Sequence, residues 1–231
     1  MLVQQGRLAI RALQKSDAPV MLRWLQDERV LEFYEGRDKH FDLQTVIEVF
    51  IEDQGETTPC LVLLDDKPLG YVQFYPLDSE DKQALELPVE DVIYGLDQFI
   101  GEPDFWGLGL GTELVSLVRD YLITDKAAQR LVLDPQSRNS RAIACYEKCG
   151  FEKLRLLPAH EMHEGQLQDC WLMQYYPARS SLMASSRPKY RAADEVPDRA
   201  QIADQYRAPA SDGHLYERSP EDQYALPSRR V

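Results

Sequence analysis

The sequence predicts an α+β domain built on one mixed sheet, followed by a tail that carries no core. Two observations support the first part. Segments with the two-residue period of a strand alternate with segments of helical period, in the order β-α-α-β-β-β-α-β-α-β-β. Some successive strands are joined by tight turns and others by helices, so antiparallel and parallel neighbours must share the sheet. The third observation sets the boundary: the periodic pattern stops near residue 178 of 231.

In chain order, residues 7–13 alternate, with Leu8, Ile10 and Ala12 on one side, as a half-buried strand does. Ser16 and Asp17 cap a helix with Pro19 in its first turn, and Val20, Leu22, Trp24, Leu25 and Val30 point toward the core. Residues 31–36 form an acidic, aromatic loop. Asp42 caps a second helix, residues 43–51, with Val46, Ile47 and Phe50 on one face. Residues 59–64 and 68–75 make a hairpin around Asp65, Asp66 and Lys67. Residues 76–91 are polar and acidic and read as an insertion. Residues 92–100 form an apolar strand interrupted by Asp97. A glycine-rich turn opens a helix over residues 109–122. A strand at 130–134 and a helix at 139–149 follow, the latter stopped by Gly150 at a position that suits a left-handed residue. Residues 151–157 and 167–175 close the sheet around a loop at 158–165.

Residues 1–178 thus form one domain. Residues 179–231 are rich in Ser, Pro, Ala, Arg and Asp without an apolar period, and are expected to be disordered because little apolar surface is available to offset ordering entropy.

The formal charge of −13 belongs to the domain, because residues 179–231 hold 9 basic and 8 acidic side chains. A strongly acidic surface repels phosphates and argues against nucleic-acid binding. It suits a cationic ligand, or simply solubility. No apolar run approaches the roughly 20 residues of a membrane span, and the N-terminus has charges where a signal peptide is apolar. Cys60, Cys145, Cys149 and Cys170 contain no C-x-x-C pair. A cytoplasmic protein without metal is expected, needing no protein partner.

Gly107, Leu108, Gly109, Leu110, Gly111 and Thr112 precede a helix. Glycines let backbone N–H groups converge, and a helix N-terminus carries about half a positive charge, so phosphate oxygens suit this loop. Lys is missing before Thr112, which excludes a P-loop, and the spacing is not that of a dinucleotide fingerprint. A glycine turn without a ligand remains open on this segment alone. Farther on, Asn139 to Phe151 has the form N-x-x-A-x-x-x-Y-x-x-x-G-F. Asn139 caps the helix, and Tyr146, two turns on, can face a cleft beside the preceding strand.

These two segments together resemble the GNAT superfamily of acetyl-CoA-dependent N-acetyltransferases. Tyr94 to Pro103, Leu133-Asp134-Pro135 and His160 to Gly165 are similar to the aminoglycoside 6'-N-acetyltransferases, especially the acetyltransferase half of the bifunctional acetyltransferase/phosphotransferase resistance enzyme. The resemblance spans about residues 7–176. It implies a mixed, mostly antiparallel sheet flanked by helices, whose fourth and fifth strands splay to hold acetyl-CoA. The phosphotransferase activity is not expected, since the tail stands where that domain would begin. Leu108 departs from relatives that often carry a basic residue there.

By this resemblance Asp97 binds the reactive amine and acts as base. Chemically, a carboxylate lies about six pKa units below an alkyl amine, so Asp97 either takes the proton or orients the ammonium and passes it to water. Tyr146 is the acid for the departing thiolate, with a phenol pKa near 10. Backbone groups of Gln98, Phe99 and Ile100 would meet the pantetheine arm and the oxyanion, with Asn139 and Ala142 on the far side. The loop from Gly107 to Thr112 would hold the diphosphate. Asp134 and Asp169 are the first candidates for further amines of the acceptor, with Glu35, Glu161 and residues 76–91 behind them. Trp24, Phe33, Tyr34 and Tyr75 are candidates for stacking on sugar rings. His160 and His163 miss the H-E-x-x-H spacing of a zinc site by one residue, and are expected to be solvated or to brace a loop. The acceptor is then an aminoglycoside; a lysine, polyamine or siderophore-precursor amine is the alternative, and a non-catalytic CoA-binding module a third reading.

Overall fold

The computed structural model describes residues 1–52 and 54–177. The expectation of a disordered tail over 179–231 lies outside the described residues. The strands are β1 (Val3–Gln5), β2 (Leu8–Ala12), β3 (Thr58–Leu64), β4 (Lys67–Pro76), β5 (Ile93–Ile100), β6 (Arg130–Leu133), β7 (Glu152–His163) and β8 (Gln166–Tyr175). The helices are α1 (Ala18–Trp24), α2 (Glu28–Leu31), α3 (Leu43–Phe50), α4 (Ser79–Ala84), α5 (Leu110–Asp125) and α6 (Ser140–Lys148).

One eight-stranded sheet runs β1-β2-β3-β4-β5-β6-β8-β7. Each neighbouring pair is antiparallel except β5 and β6, which are joined by α5 and run parallel. Alternation along the strands fills a core on each face. Leu8, Ile10, Cys60, Val62 and Leu96 pack under α5 and α6, where Leu114, Val115, Val118 and Leu122 are buried. Ala9, Leu61, Leu63 and Tyr71 pack under α1 and α3. With helices on both faces, β3 reads as a continuous apolar run rather than an alternation. Burying each Leu or Val on α5 contributes about 1.5–3 kcal/mol. Among the described residues no helix is long and apolar enough to cross a membrane.

Four local features differ from the sequence reading. β1 forms an added hairpin with β2 through Gly6, whose φ of 57° is left-handed. The first helix breaks after Trp24. Asp27 then caps α2, accepting from the Arg29 N–H at 3.0 Å. Residues 76–91 are not a bare polar insertion: they contain α4, and Leu77, Leu85 and Leu87 are buried with Tyr75, Ile93, Val132 and Leu172. The three leucines are spaced among charges, which hid them from a periodicity test. Finally, β7 continues through the expected 158–165 loop to His163, with a register shift between Leu157 and Glu161. Pro158 lacks a donor and Ala159 has a φ of 49°, so the interruption is a bulge and not a strand end.

Trp24, a stacking candidate by sequence, has no exposed surface. Its indole N–H donates to Glu102 at 3.0 Å and its ring meets Phe99 edge-on at 6.0 Å. It therefore holds α1 against the sheet and is not a wall of any cleft. Trp24→Ala is expected to lower the unfolding free energy by about 3–5 kcal/mol, measured by urea denaturation.

Candidate active site

The site begins where two strands part. β5 and β6 are paired at Ile93 with Arg130, Tyr94 with Leu131, and Gly95 with Val132, and their ladder ends there. β4 follows β5 all the way to Ile100, and β8 stays with β6. The gap therefore opens between β5 and β6 alone, as expected for the strands at 92–100 and 130–134. Pro135 removes an N–H donor just past β6. The resulting cleft, of about 390 Å³, is lined by Leu96 to Ile100 on one edge and Leu133 to Gln136 on the other.

Alternation along β5 sends Asp97 and Gln98 to opposite faces. Asp97 shares its side with Phe99, which stacks on Tyr71 at 5.6 Å and meets Tyr34 at 4.7 Å. Gln98 faces α6, where its Nε2 donates to the Tyr146 hydroxyl oxygen at 2.7 Å. The two proposed catalytic groups thus approach the gap from opposite sides of the sheet.

Asp97 is 5% exposed but lines the cleft. Burying a carboxylate is costly without donors, and β4 supplies them. Gln73 Nε2 donates to Asp97 Oδ2 at 3.1 Å, and the Tyr75 hydroxyl reaches the same oxygen at 3.4 Å. The Tyr75 ring lies across Gly95, where an added Cβ would sit 2.3 Å from the ring. Gly95 is therefore required for close approach, two residues before the carboxylate it serves. Sequence reasoning put Tyr75 on the acceptor wall. It is 1% exposed and does not line the cleft; it is a buried support of Asp97.

The α5 and α6 side carries the features of an anion site. Gly109 caps α5 with a φ of 86°, and Gly107 has 77°, a region that side chains resist. Gly107, Gly109, Gly111 and Thr112 line the cleft, whereas Leu108 and Leu110 turn to a separate groove beside Gln5 to Leu8. Only the backbone of those two can serve a ligand here. The Asn139 side chain caps α6, accepting from Ala142 N–H at 3.1 Å, and both residues line the cleft. Arg141 and Lys148 also line it, with Arg141 held 4.1 Å over the Trp106 ring. Sequence reasoning missed both. Their separation of seven residues, on the face of Ala144 and Cys145, was the available signal. Glycine backbone, helix N-terminus and two cations fit a diphosphate.

On the other side, Asp134 is 1% exposed and pairs with His160 Nε2 at 3.1 Å. Asp97 and Asp134 are the carboxylates among the residues that line the cleft. Phe33 and Tyr34 form its outer wall, and Arg138 stacks on Phe33 at 4.7 Å. Gln136 is buried between Arg138 and Glu161, accepting from one at 2.8 Å and donating to the other at 3.1 Å. Asp169, expected at the acceptor, does not line the cleft. It accepts from Ala159 N–H at 2.9 Å and pins the bulge of β7. Glu35 and residues 76–91 do not line the cleft either.

His160 and His163 are not solvated loop residues; they are 5% and 2% exposed in β7. His163 Nε2 contacts the Glu32 carbonyl at 3.0 Å and so ties the aromatic loop to β7. Among the described residues no three His, Cys, Asp or Glu side chains converge as metal ligands. Cys145 lines the cleft next to Thr112 Oγ1 at 3.6 Å. The neighbouring Cys149 and burial push its thiol pKa up.

Residues 14–158 match the family model described as the acetyltransferase (GNAT) domain. The chain is 30% identical over 149 residues to an aminoglycoside N(6')-acetyltransferase type 1 of Klebsiella pneumoniae, covering 63% of this chain and 74% of that one. A kanamycin resistance protein of Rhizobium radiobacter is 41% identical over 61 residues, covering 26% of this chain and 56% of its own. Among solved structures, the aminoglycoside acetyltransferase AAC(6')-Ib with coenzyme A and kanamycin superposes with a TM-score of 0.57 at 25% identity, over 74% of this chain and 95% of the other.

Because the Tyr75 ring occupies the space beside Gly95, Gly95→Ala should displace its hydroxyl from Asp97. A cost of about 1–3 kcal/mol in stability is expected from overpacking, measured by thermal unfolding, with a loss of turnover in protein that remains folded.

Proposed function

We propose that this chain, which belongs to the GNAT acetyltransferase family, moves the acetyl group of acetyl-CoA to the 6'-amine of aminoglycosides of the kanamycin, tobramycin and gentamicin type. The observation that carries this reading is the polarity of the cleft. Arg141, Lys148, glycine backbone and a helix N-terminus gather on one side of the parted strands, and on the other stand two buried carboxylates and Arg29, the latter already paired with Asp27. Such a cleft suits a polyanionic acyl donor facing a polycationic acceptor.

In the proposed reaction the backbone of Gln98 to Ile100, released from any partner on the β6 side, pairs with the pantetheine arm as an added strand would. An N–H from the same stretch donates to the oxyanion as the amine attacks the thioester carbon. Asp97 binds the 6'-ammonium, and its proton leaves to the carboxylate or to water. Tyr146, its oxygen held by Gln98, protonates the departing thiolate. Attack is direct in a ternary complex, and Cys145 takes no part. Asp134, braced by His160, holds a second amine of the drug, and Phe33 and Tyr34 offer flat faces to its rings. Acetylation removes a positive charge that the antibiotic needs on ribosomal RNA, which gives resistance. The enzyme acts in the cytoplasm, and the catalytic domain ends near residue 178, with residues 179–231 dispensable for transfer.

CoA release with kanamycin or tobramycin is expected to be brisk, and slow with lysine or spermidine. Brisk turnover of those amines and none of any aminoglycoside would sink the acceptor assignment. Tyr146→Phe should lower kcat about 10²–10⁴-fold, the usual contribution of a general acid, with KM for the drug little changed. Asp97→Asn should abolish the protection from kanamycin that the wild type gives a susceptible host.

A further inference from the structure

Asp97 does not stand alone on its side of the sheet. Its cross-strand neighbour is Gln73, directly opposite on β4. Tyr71, two residues earlier on the same face, donates its hydroxyl proton to Gln73 Oε1 at 2.7 Å. The Gln73 amide in turn donates to Asp97 Oδ2. All four side chains, Tyr71, Gln73, Tyr75 and Asp97, are buried, at 0%, 5%, 1% and 5% exposure.

We infer that Tyr71 and Gln73 are positioning residues for Asp97: together they fix the direction of the carboxylate and keep it ionised in a site that burial would otherwise neutralise. The inference rests on the acetyl-transfer reading above.

The direction of the relay is set by chemistry. An ionised carboxylate only accepts hydrogen bonds, so Gln73 must present its NH₂ to Asp97 and its carbonyl oxygen to the other side. Turned over, the amide would set its oxygen against the carboxylate. The carboxylate thus fixes the amide, and Tyr71 completes the relay by donating its O–H to the amide oxygen. The phenol remains a donor across the working range, since burial and the charge of Asp97 both push its pKa well above the usual value.

The titratable groups around the Tyr71–Gln73–Asp97 cluster include Tyr75 on β4, Cys60 on β3, Tyr34 and Glu35 after α2, Arg29 on α2, Asp134 past β6 and Tyr146 across the gap. Cys60 stays a thiol, burial pushing it up to about 12. Glu35 and Asp134 oppose a further negative charge. Arg29 favours it, but is already paired with Asp27. Gln73 and Tyr75 add neutral donors, and hydrogen bonds to the charged form lower a carboxyl pKa. An acceptor that arrives as an ammonium needs this state.

The test uses Gln73→Met, which keeps the volume without the donor, and Tyr71→Phe, which keeps the ring without the hydroxyl. In the full chain, the Asp97 carboxyl is followed by ¹³C NMR across pH, assigned by its loss in Asp97→Asn. The pH profile of kcat/KM for kanamycin is measured alongside. In Gln73→Met the Asp97 titration should move up by about one pH unit or more, as a lost hydrogen bond to a charge implies. The acid limb of kcat/KM should move with it. Below that limb activity should fall about tenfold or more, and it should largely return at high pH. Tyr71→Phe should move both in the same direction by less. A residue that only packs would change stability and leave the titration in place. An unchanged Asp97 titration in both variants overturns the inference, whether or not kanamycin is a substrate. If Gln73→Met does not fold, Tyr71→Phe alone decides by the same criterion. A titration that moves in a protein that turns over no aminoglycoside supports the inference and removes the acceptor assignment instead.

Discussion

The parting of β5 from β6 is the constraint on which the rest of the site depends. Three residue pairs hold the strands together, and then the ladder stops. A backbone edge left unpaired inside a sheet is normally a liability. Here it becomes a site, because both faces of the sheet are already covered by helices and the opening leads from one face to the other. The opening sits beside the only parallel pair of the sheet, where α5 must cross over and bring its glycine-rich N-terminus to the same end. The strand gap and the anion loop are thus two consequences of one connection.

Strand alternation does the next piece of work. Because Asp97 and Gln98 are neighbours, they cannot share a face. One is committed to the aromatic, carboxylate-bearing side and the other to α6 and Tyr146. The same alternation applied to β6 puts Val132 and, past the strand end, Asp134 on the side of Asp97. Two substrates of opposite charge can then meet in the gap without sharing a surface. The net charge of −13 is compatible with a phosphate-rich donor for this reason: Arg141, Lys148 and the start of α5 make a local exception on the α5 and α6 side.

Much of this was legible in the sequence. Most of the strands and helices in chain order, the glycine loop, Asn139 as a cap, Tyr146 on the cleft face of α6 and Asp97 as an intruder in an apolar strand follow from period and spacing. What period and spacing do not carry is which of two faces a half-buried aromatic takes. Trp24 and Tyr75 look like ring platforms in the sequence, and both are wholly enclosed, one by Glu102 and Phe99, the other by the space that Gly95 leaves. Asp169 and the two histidines were misplaced for a related reason. Their positions depend on the bulge in β7, and Pro158 in a polar stretch resembles a loop until the partner strand is seen to continue. Gln73 was invisible for a third reason: a lone amide in a strand has no pattern, and its meaning comes only from the register that sets it opposite Asp97.

That register bears on how the proton leaves. A carboxylate about six pKa units weaker than an alkyl amine cannot hold the proton of a free ammonium at equilibrium. Gln73 and Tyr75 place donors on one oxygen of Asp97, and such contacts stabilise the charged form. The structure of the site therefore favours binding over basicity. In the proposed reaction an ionised, rigidly held carboxylate would attract and aim the ammonium, and loss of the proton to water in the partly open cleft would supply the neutral amine. A site built for proton abstraction would do the opposite, withholding donors from the carboxylate so that burial raised its pKa. Two donors on one buried oxygen thus support, within the proposed reaction, a role for Asp97 in placing the amine at the gap over one in abstracting its proton.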